Sequence, residues 1–170
     1  MKENTFFSRL FGKKETGGEV IVSPITGEVL PIEEVQDATF SQKLLGDGLA
    51  VIPTEGKLYA PAAGIVQGLQ KKTGHALCIT TPSGVELLLH IGRDTVRMEG
   101  RGFTVHCEEG QQVAQGDLLV EFDIEAIKAE GYDTASPVIV LNTDDYAFES
   151  RASRGPILHG AALYTLKKKQ

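Results

Sequence analysis

Apolar and β-branched residues fall in short runs along the chain: Val20–Val22, Leu49–Ile52, Gly64–Leu69, Ala76–Thr80, Val85–His90, Leu118–Phe122, Val138–Leu141 and Ala162–Leu166. Turn signals separate them: Ser23-Pro24, Thr26-Gly27, Gly46-Asp47-Gly48, Thr54-Glu55-Gly56, Ala60-Pro61 and Pro82-Ser83-Gly84. Short strands with closely spaced turns predict an all-β fold, an antiparallel β-sandwich or barrel. Two short helices are predicted beside the strands. One covers 32–40, where Glu33 and Glu34 suit a first helical turn. The other covers 124–131, with Asp123 as N-cap and Gly131 just past the end. A weak repeat is visible: Val22-Ser-Pro-Ile-Thr-Gly-Glu-Val29 and Tyr59-Ala-Pro-Ala-Ala-Gly-Ile-Val66 share a Pro-x-x-Gly-x-Val frame. It reads as duplicated strand–turn units inside one fold, because the spacing is too irregular for a solenoid.

Residues 1–18 have a different texture. Phe6, Phe7, Leu10 and Phe11 share one helical face beside Arg9, Lys13 and Lys14, and Gly17-Gly18 ends the pattern. This is a frayed tail in free solution that can form an amphipathic segment on a membrane surface. The expected organisation is therefore a flexible tail over 1–18 and a single domain over 19–170.

Composition narrows the classes. The net charge of −6 argues against nucleic acid as a partner. Cys78 and Cys107 are far apart and show no metal-ligand spacing, which suits free thiols in a reducing compartment. No apolar run reaches the roughly 20 residues of a membrane-crossing helix, and the N-terminus lacks the apolar core of a signal peptide. The expected location is cytoplasmic, with a peripheral contact at the inner face of the membrane through the tail.

The chain has four histidines, His75, His90, His106 and His159. No phosphate-binding glycine loop accompanies them, so a nucleotide-dependent kinase is unsupported. Val85-Glu-Leu-Leu-Leu-His90 reads as a strand that delivers a histidine at its end. By alternation Val85, Leu87 and Leu89 face one side and Glu86, Leu88 and His90 the other. With the first face in the core, His90 emerges beside the apolar Leu88, a setting that shields a labile phosphohistidine and offers a partner something to bury. Gly92 allows a tight turn, so that a backbone carbonyl can accept from one ring nitrogen and leave the other as nucleophile. Thr73-Gly-His75 opens another strand, and a second imidazole with a nearby hydroxyl could stabilise phosphoryl charge. His106 and His159 read as surface or loop histidines.

Taken together, these runs resemble the glucose-family IIA component of the bacterial phosphoenolpyruvate:sugar phosphotransferase system. The runs that carry the likeness are Ser23-Pro-Ile-Thr-Gly-Glu-Val, Gly46-Asp-Gly-Leu-Ala-Val-Ile-Pro, Ala60-Pro-Ala-Ala-Gly, Thr73-Gly-His-Ala, Ser83-Gly-Val-Glu-Leu-Leu-Leu-His-Ile-Gly-Arg-Asp-Thr-Val, Gly100-Arg-Gly-Phe and Glu109-Gly-Gln-Gln-Val-Ala-Gln-Gly-Asp-Leu. The resemblance implies a β-sandwich with a shallow active face. It implies that His90 accepts a phosphoryl group from the histidine-containing phosphocarrier protein and passes it to a cysteine on the IIB domain of a sugar permease. It gives His75 the support of that group, with Thr73, Gly92 and Asp94 nearby. No cofactor is required, although in related proteins the same two histidines hold zinc when a partner adds a carboxylate. Related proteins also bind regulatory targets. The family often places an aromatic residue before the position of Thr73, where this chain has Gln70-Lys71-Lys72. The docking patch is therefore expected to use Phe40, Leu45, Leu88 and Val96, with Lys71 turned toward acidic partners.

Three other readings are weaker. A lysostaphin-like zinc peptidase needs His-x-x-x-Asp and His-x-His, but Ile79 and Gly92 stand where the second ligands would be. A purely regulatory protein would have no use for the intact set Thr73, His75, His90 and Asp94. A biotinyl or lipoyl carrier needs an acceptor lysine at a hairpin tip in a Met-Lys or Asp-Lys-Ala setting, which is missing.

Overall fold

A computed structural model describes residues 18–170. The amphipathic segment read from Phe6, Phe7, Leu10 and Phe11 lies outside the described residues. The strands run in chain order as β1 (Glu19–Val22), β2 (Gly27–Pro31), β3 (Asp47–Pro53), β4 (Lys57–Tyr59), β5 (Gly64–Gln67), β6 (Ala76–Thr80) and β7 (Glu86–His90). They continue as β8 (Phe103–Val105), β9 (Gln112–Val113), β10 (Leu118–Phe122), β11 (Ser136–Val140), β12 (Tyr146–Arg151), β13 (Gly155–Ile157) and β14 (Ala162–Lys168). All pairings are antiparallel. They form an eight-stranded sheet in the order β13-β2-β3-β11-β7-β6-β5-β9 and two three-stranded sheets, β1-β14-β12 and β4-β10-β8. One core joins the inner face of the large sheet, including Val29, Val51, Leu77, Ile79, Leu87, Leu89 and Val138, to Ile21, Leu163 and Leu166 of one small sheet and Leu119 and Val120 of the other. The fold is the expected antiparallel β-sandwich.

The short Pro-x-x-Gly repeat turns out to mark a duplication of the entire framework. Strands β1, β2, β3, β11, β12, β13 and β14 correspond in pairing to β4, β5, β6, β7, β8, β9 and β10. The two copies bond reciprocally at the repeat: the Val22 N–H donates to the Pro61 carbonyl at 3.1 Å, and the Tyr59 N–H to the Pro24 carbonyl at 2.8 Å. Gly160 donates to Ser23 O as Gly116 donates to Ala60 O, at 3.0 and 2.9 Å. Gly27 and Gly64 open equivalent strands, and a Cβ at either would lie within 2.0 Å of Ile52 O or 2.4 Å of Thr80 O. Both positions therefore demand glycine. The pseudo-two-fold passes through the Leu89–Val138 pair where β7 meets β11. By register, His75 corresponds to Asp47 and His90 to Ile139.

The helix predicted over 32–40 is divided. A 3-10 turn covers Ile32–Glu34, Val35 is extended, and a separate short helix α1 (Ala38–Ser41) starts where the Asp37 carboxylate accepts from the Thr39 N–H at 3.0 Å. The physical reason is Asp37 itself: a strong N-cap prefers extended backbone, which interrupts a continuous helix. Helix α2 (Ile124–Ala129) matches its prediction, with Asp123 Oδ1 accepting from Ala126 N and Gly131 left-handed at φ +84° just beyond its end. The strands that pattern reading passed over, β2, β4, β8, β9, β12 and β13, are mostly edge or short pieces without a full apolar alternation.

Candidate functional site

The alternation along β7 places the site as read from sequence. Val85, Leu87 and Leu89 are fully buried in the core. Glu86 is exposed on the other face, and Leu88 and His90 are half-buried there. β6 lies beside β7 with Ala76 opposite His90, and the Ile91 N–H donates to the His75 carbonyl at 2.7 Å. This pairing brings together two histidines 15 positions apart in sequence. Their rings meet edge to face, with centroids 5.2 Å apart and planes at 84°.

Each ring is held by a second contact. His90 Nδ1 lies 2.8 Å from the carbonyl oxygen of Gly92. A carbonyl can only accept, so Nδ1 carries the proton and Nε2 keeps a free lone pair. Gly92 makes the contact with a left-handed backbone, φ +67°, and a Cβ there would lie 2.7 Å from Asp133 O and 2.9 Å from Thr95 Cγ2. The turn is locked further by Gly92 N–H donating to Ser136 Oγ at 3.1 Å, Arg93 N–H donating to Asp133 O at 2.9 Å, and the Thr95 hydroxyl donating to Ile91 O. His75 is buried, and its Nδ1 lies 2.6 Å from Thr73 Oγ1.

Burial, followed by the neighbouring His90, lowers His75 to about 4. Burial also pushes His90 below its ordinary value, against the Gly92 carbonyl and the Asp37 and Asp94 carboxylates, which pull the other way. Both rings are therefore neutral near pH 7, the state in which an imidazole nitrogen can attack. Asp94 caps the 3-10 turn Thr95–Met98 in a left-handed conformation, with its carboxylate 3.8 Å from Arg93 Nε.

The expected docking residues divide. Leu45 and Val96 are exposed, and Leu88 is half-buried beside His90 on the outer face of β7. Leu44, which sequence reading passed over, is more exposed still, at 68%. Phe40 differs from expectation: it is only 5% exposed and packs in a second core with Ile32, Val35, Ala50 and Ile139. Its ring lies 5.2 Å from that of His90, so it forms a wall of the site rather than an open patch. Lys71 is also turned elsewhere, with Nζ bonded to Glu108 Oε1 at 2.7 Å and to the Cys107 carbonyl at 3.1 Å. His106 pairs with Glu121 at 2.8 Å, and His159 stacks on Tyr59 with centroids 4.0 Å apart; neither approaches the site. Asp37 and Ser136 were missed. Asp37 carried a cap signal before Thr39, whereas nothing in the sequence connects Ser136 to Gly92.

Among the described residues, no three His, Cys, Asp or Glu side chains are grouped to hold a metal. Among them, too, no helix is long and apolar enough to cross a membrane.

Comparison with known proteins agrees with this geometry. A family model described as phosphoenolpyruvate-dependent sugar phosphotransferase system, EIIA 1, matches residues 19–146. The glucose-specific EIIA component of Halalkalibacterium halodurans is 44% identical over 95% of this chain and 98% of its own length. The β-glucoside-specific EIIBCA component of Bacillus subtilis is 48% identical over 89% of this chain, but this chain spans only 25% of that protein. The solved glucose permease IIA of Mycoplasma capricolum superposes with a TM-score of 0.83 at 33% identity, covering 88% of this chain and 96% of its own. The chain belongs to this EIIA family and is a phosphoryl-carrying component of the phosphoenolpyruvate-dependent sugar phosphotransferase system.

Proposed function

We propose that His90 is the phosphoryl acceptor and that Nε2 is its nucleophilic atom. The observation that carries this reading is the Nδ1 contact to the Gly92 carbonyl, which leaves Nε2 as the only free lone pair on the ring. The donor is the phosphohistidine of the histidine-containing phosphocarrier protein. Nε2 attacks its phosphorus in line as the donor's P–N bond breaks and its electron pair returns to the donor imidazole. In the second transfer a IIB cysteine thiolate attacks the same phosphorus, and the His90 P–N bond breaks.

His75 stabilises the phosphoryl group. With the Thr73 hydroxyl donating to Nδ1, the neutral ring has an N–H on Nε2 that can donate to a phosphoryl oxygen. Leu88, Val96, Leu44 and Leu45 form the surface that partners cover, and Phe40 and Asp94 border the ring they reach. The relatives are glucose-specific and β-glucoside-specific, which makes IIB domains of those two permease classes the acceptors to compare. The carrier works in the cytoplasm. Zinc retention at His75 and His90 would require ligands from a partner, because two imidazoles leave a tetrahedral zinc two ligands short.

Intact mass after incubation with phosphoenolpyruvate, enzyme I and the phosphocarrier protein tests the assignment. One acid-labile phosphoryl adduct is expected on the wild type and none on His90→Gln. An adduct on His90→Gln would overturn it. His75→Gln is expected to accept the group but to pass it on slowly.

A further inference from the structure

The two halves of the duplicated framework treat the outer face of the large sheet differently. In one half that face carries the histidines and stays open. In the other, residues 32–44 fold over it, and Ile32, Val35 and Phe40 pack on Ala50 and Ile139. Ile139 is the counterpart of His90, and Asp47 is the counterpart of His75. The closed half therefore packs an apolar cluster where the open half carries imidazoles, and an acid, Asp47, takes the position of His75 at the start of β3.

Asp47 joins three elements. Arg151, from β12, binds it in a forked pair, Nη2 to Oδ2 at 2.6 Å and Nη1 to Oδ1 at 3.1 Å. The side chain of Asp47 is only 14% exposed, and its Oδ1 also accepts from the Gly48 N–H at 2.8 Å. Lys43 reaches the same oxygen at 3.7 Å and Glu33 of the covering segment at 3.0 Å. Lys43 holds a left-handed backbone, φ +57°, unusual for a side chain with a Cβ, and its own N–H donates to the Phe40 carbonyl at 3.0 Å. Phe40 in turn packs on the His90 ring. The contacts run without a gap from Arg151 through Asp47 and Lys43 to Phe40 and His90.

We infer that Asp47, Lys43 and Arg151 form a latch that seats Phe40 against His90 and so orients the nucleophilic ring; Asp47 and Lys43 are positioning residues for phosphoryl transfer. This inference rests on the proposed role of His90. A forked guanidinium–carboxylate pair in a network holds geometry far better than an isolated surface pair. A ring that must attack in line loses rate when it is free to rotate.

The test is phosphoryl transfer measured with Asp47→Asn, Lys43→Met and Lys43→Arg in the full chain. Asp47→Asn and Lys43→Met are expected to lower the rate at saturating phosphocarrier protein by about two- to fivefold, the range of such ion-pair couplings. The KM is expected to stay within about twofold, because the docking residues are untouched. Lys43→Arg should restore most of the rate. Melting curves on the same samples correct each rate for the folded fraction. Rates equal to wild type after that correction, or Lys43→Arg no better than Lys43→Met, would overturn the latch. His90→Gln run in parallel separates the two ideas: an adduct on that variant refutes the acceptor assignment, whereas its absence together with unaffected latch variants refutes only the latch.

Discussion

His75 and His90 stand edge to face at 5.2 Å, yet each ring is anchored by a different kind of partner, a threonine hydroxyl for one and a backbone carbonyl for the other. The hydroxyl can donate or accept, so His75 can serve either tautomer. The carbonyl accepts only, so His90 has one. In the transfer proposed above, this asymmetry would divide the work between a fixed nucleophile and an adaptable support.

The anchor at Gly92 gives the first prediction. Gly92→Val must place a β-branched residue at φ +67° and push against Asp133 O and Thr95 Cγ2. A stability loss of about 2–4 kcal/mol is expected in chemical denaturation. Nitrogen-15 shifts of His90 in whatever fraction stays folded should no longer report a single Nδ1–H tautomer. An unchanged tautomer would show that the carbonyl is not what sets it.

Thr73→Val keeps the shape of the side chain and removes the hydroxyl that meets His75 Nδ1. Acceptance of phosphoryl by His90 should survive. Onward transfer to a IIB domain should slow by about fivefold, the worth of roughly 1 kcal/mol of hydrogen bonding. Single-turnover kinetics with phosphorylated protein resolve the two steps, and equal losses in both would refute the separate role of His75.

His75 also predicts a pH dependence of stability. Its folded value, about 4, lies below the ordinary histidine value of 6.5. Between those values the unfolded chain binds the extra proton and the folded one does not, so stability is full above pH 6.5 and falls as pH drops toward 4. His90 is lowered in the same direction, opposed by Asp37 and Asp94. Denaturation midpoints from pH 7 to 4 should fall, and the fall should be shallower in His75→Gln. An identical slope in that variant would remove His75 as the cause.

Docking can be separated from chemistry at Val96, which is 47% exposed and makes no ring contact with either histidine. Val96→Asp is expected to raise the KM for the phosphocarrier protein by about tenfold while kcat stays within about twofold. A drop in kcat at unchanged KM would place Val96 in the transfer step instead.

The pseudo-two-fold makes a stability prediction of its own. Leu89 is fully buried on the axis against Val138. Leu89→Ala should cost about 2–5 kcal/mol, since both halves of the core border the cavity it leaves. A smaller loss, measured by urea denaturation, would mean that the halves close the gap by sliding together.

What the chain encodes locally was legible without coordinates. Period-two alternation from Val85 to His90 is a property of consecutive residues, so it assigned the inward leucines and the outward histidine correctly. The Asp123 cap and Gly131 stop are equally local, and α2 follows them. The Pro-x-x-Gly frame showed that something was duplicated, because a tight turn and a close backbone approach leave a mark in residue identity. It could not show how much, since the rest of the duplication lives in hydrogen-bond pairing that many side chains can satisfy.

The tertiary structure decided what lies across the sheet. Whether His75 meets His90 depends on the register of β6 against β7. Whether Phe40 is a patch or a wall depends on where 32–44 folds, and Asp37 breaks the expected helix so that the segment lies over Ile139. Lys71 looked free for an acidic partner until the fold brought Glu108 and the Cys107 carbonyl to it. Sequence alone determined the all-β frame, the strand that ends in His90 and its turn, because their physics is short-range. The pairing of the histidines, the closed half of the face and the latch through Asp47 came only with the fold, because each joins residues from distant parts of the chain through contacts that carry no local signal.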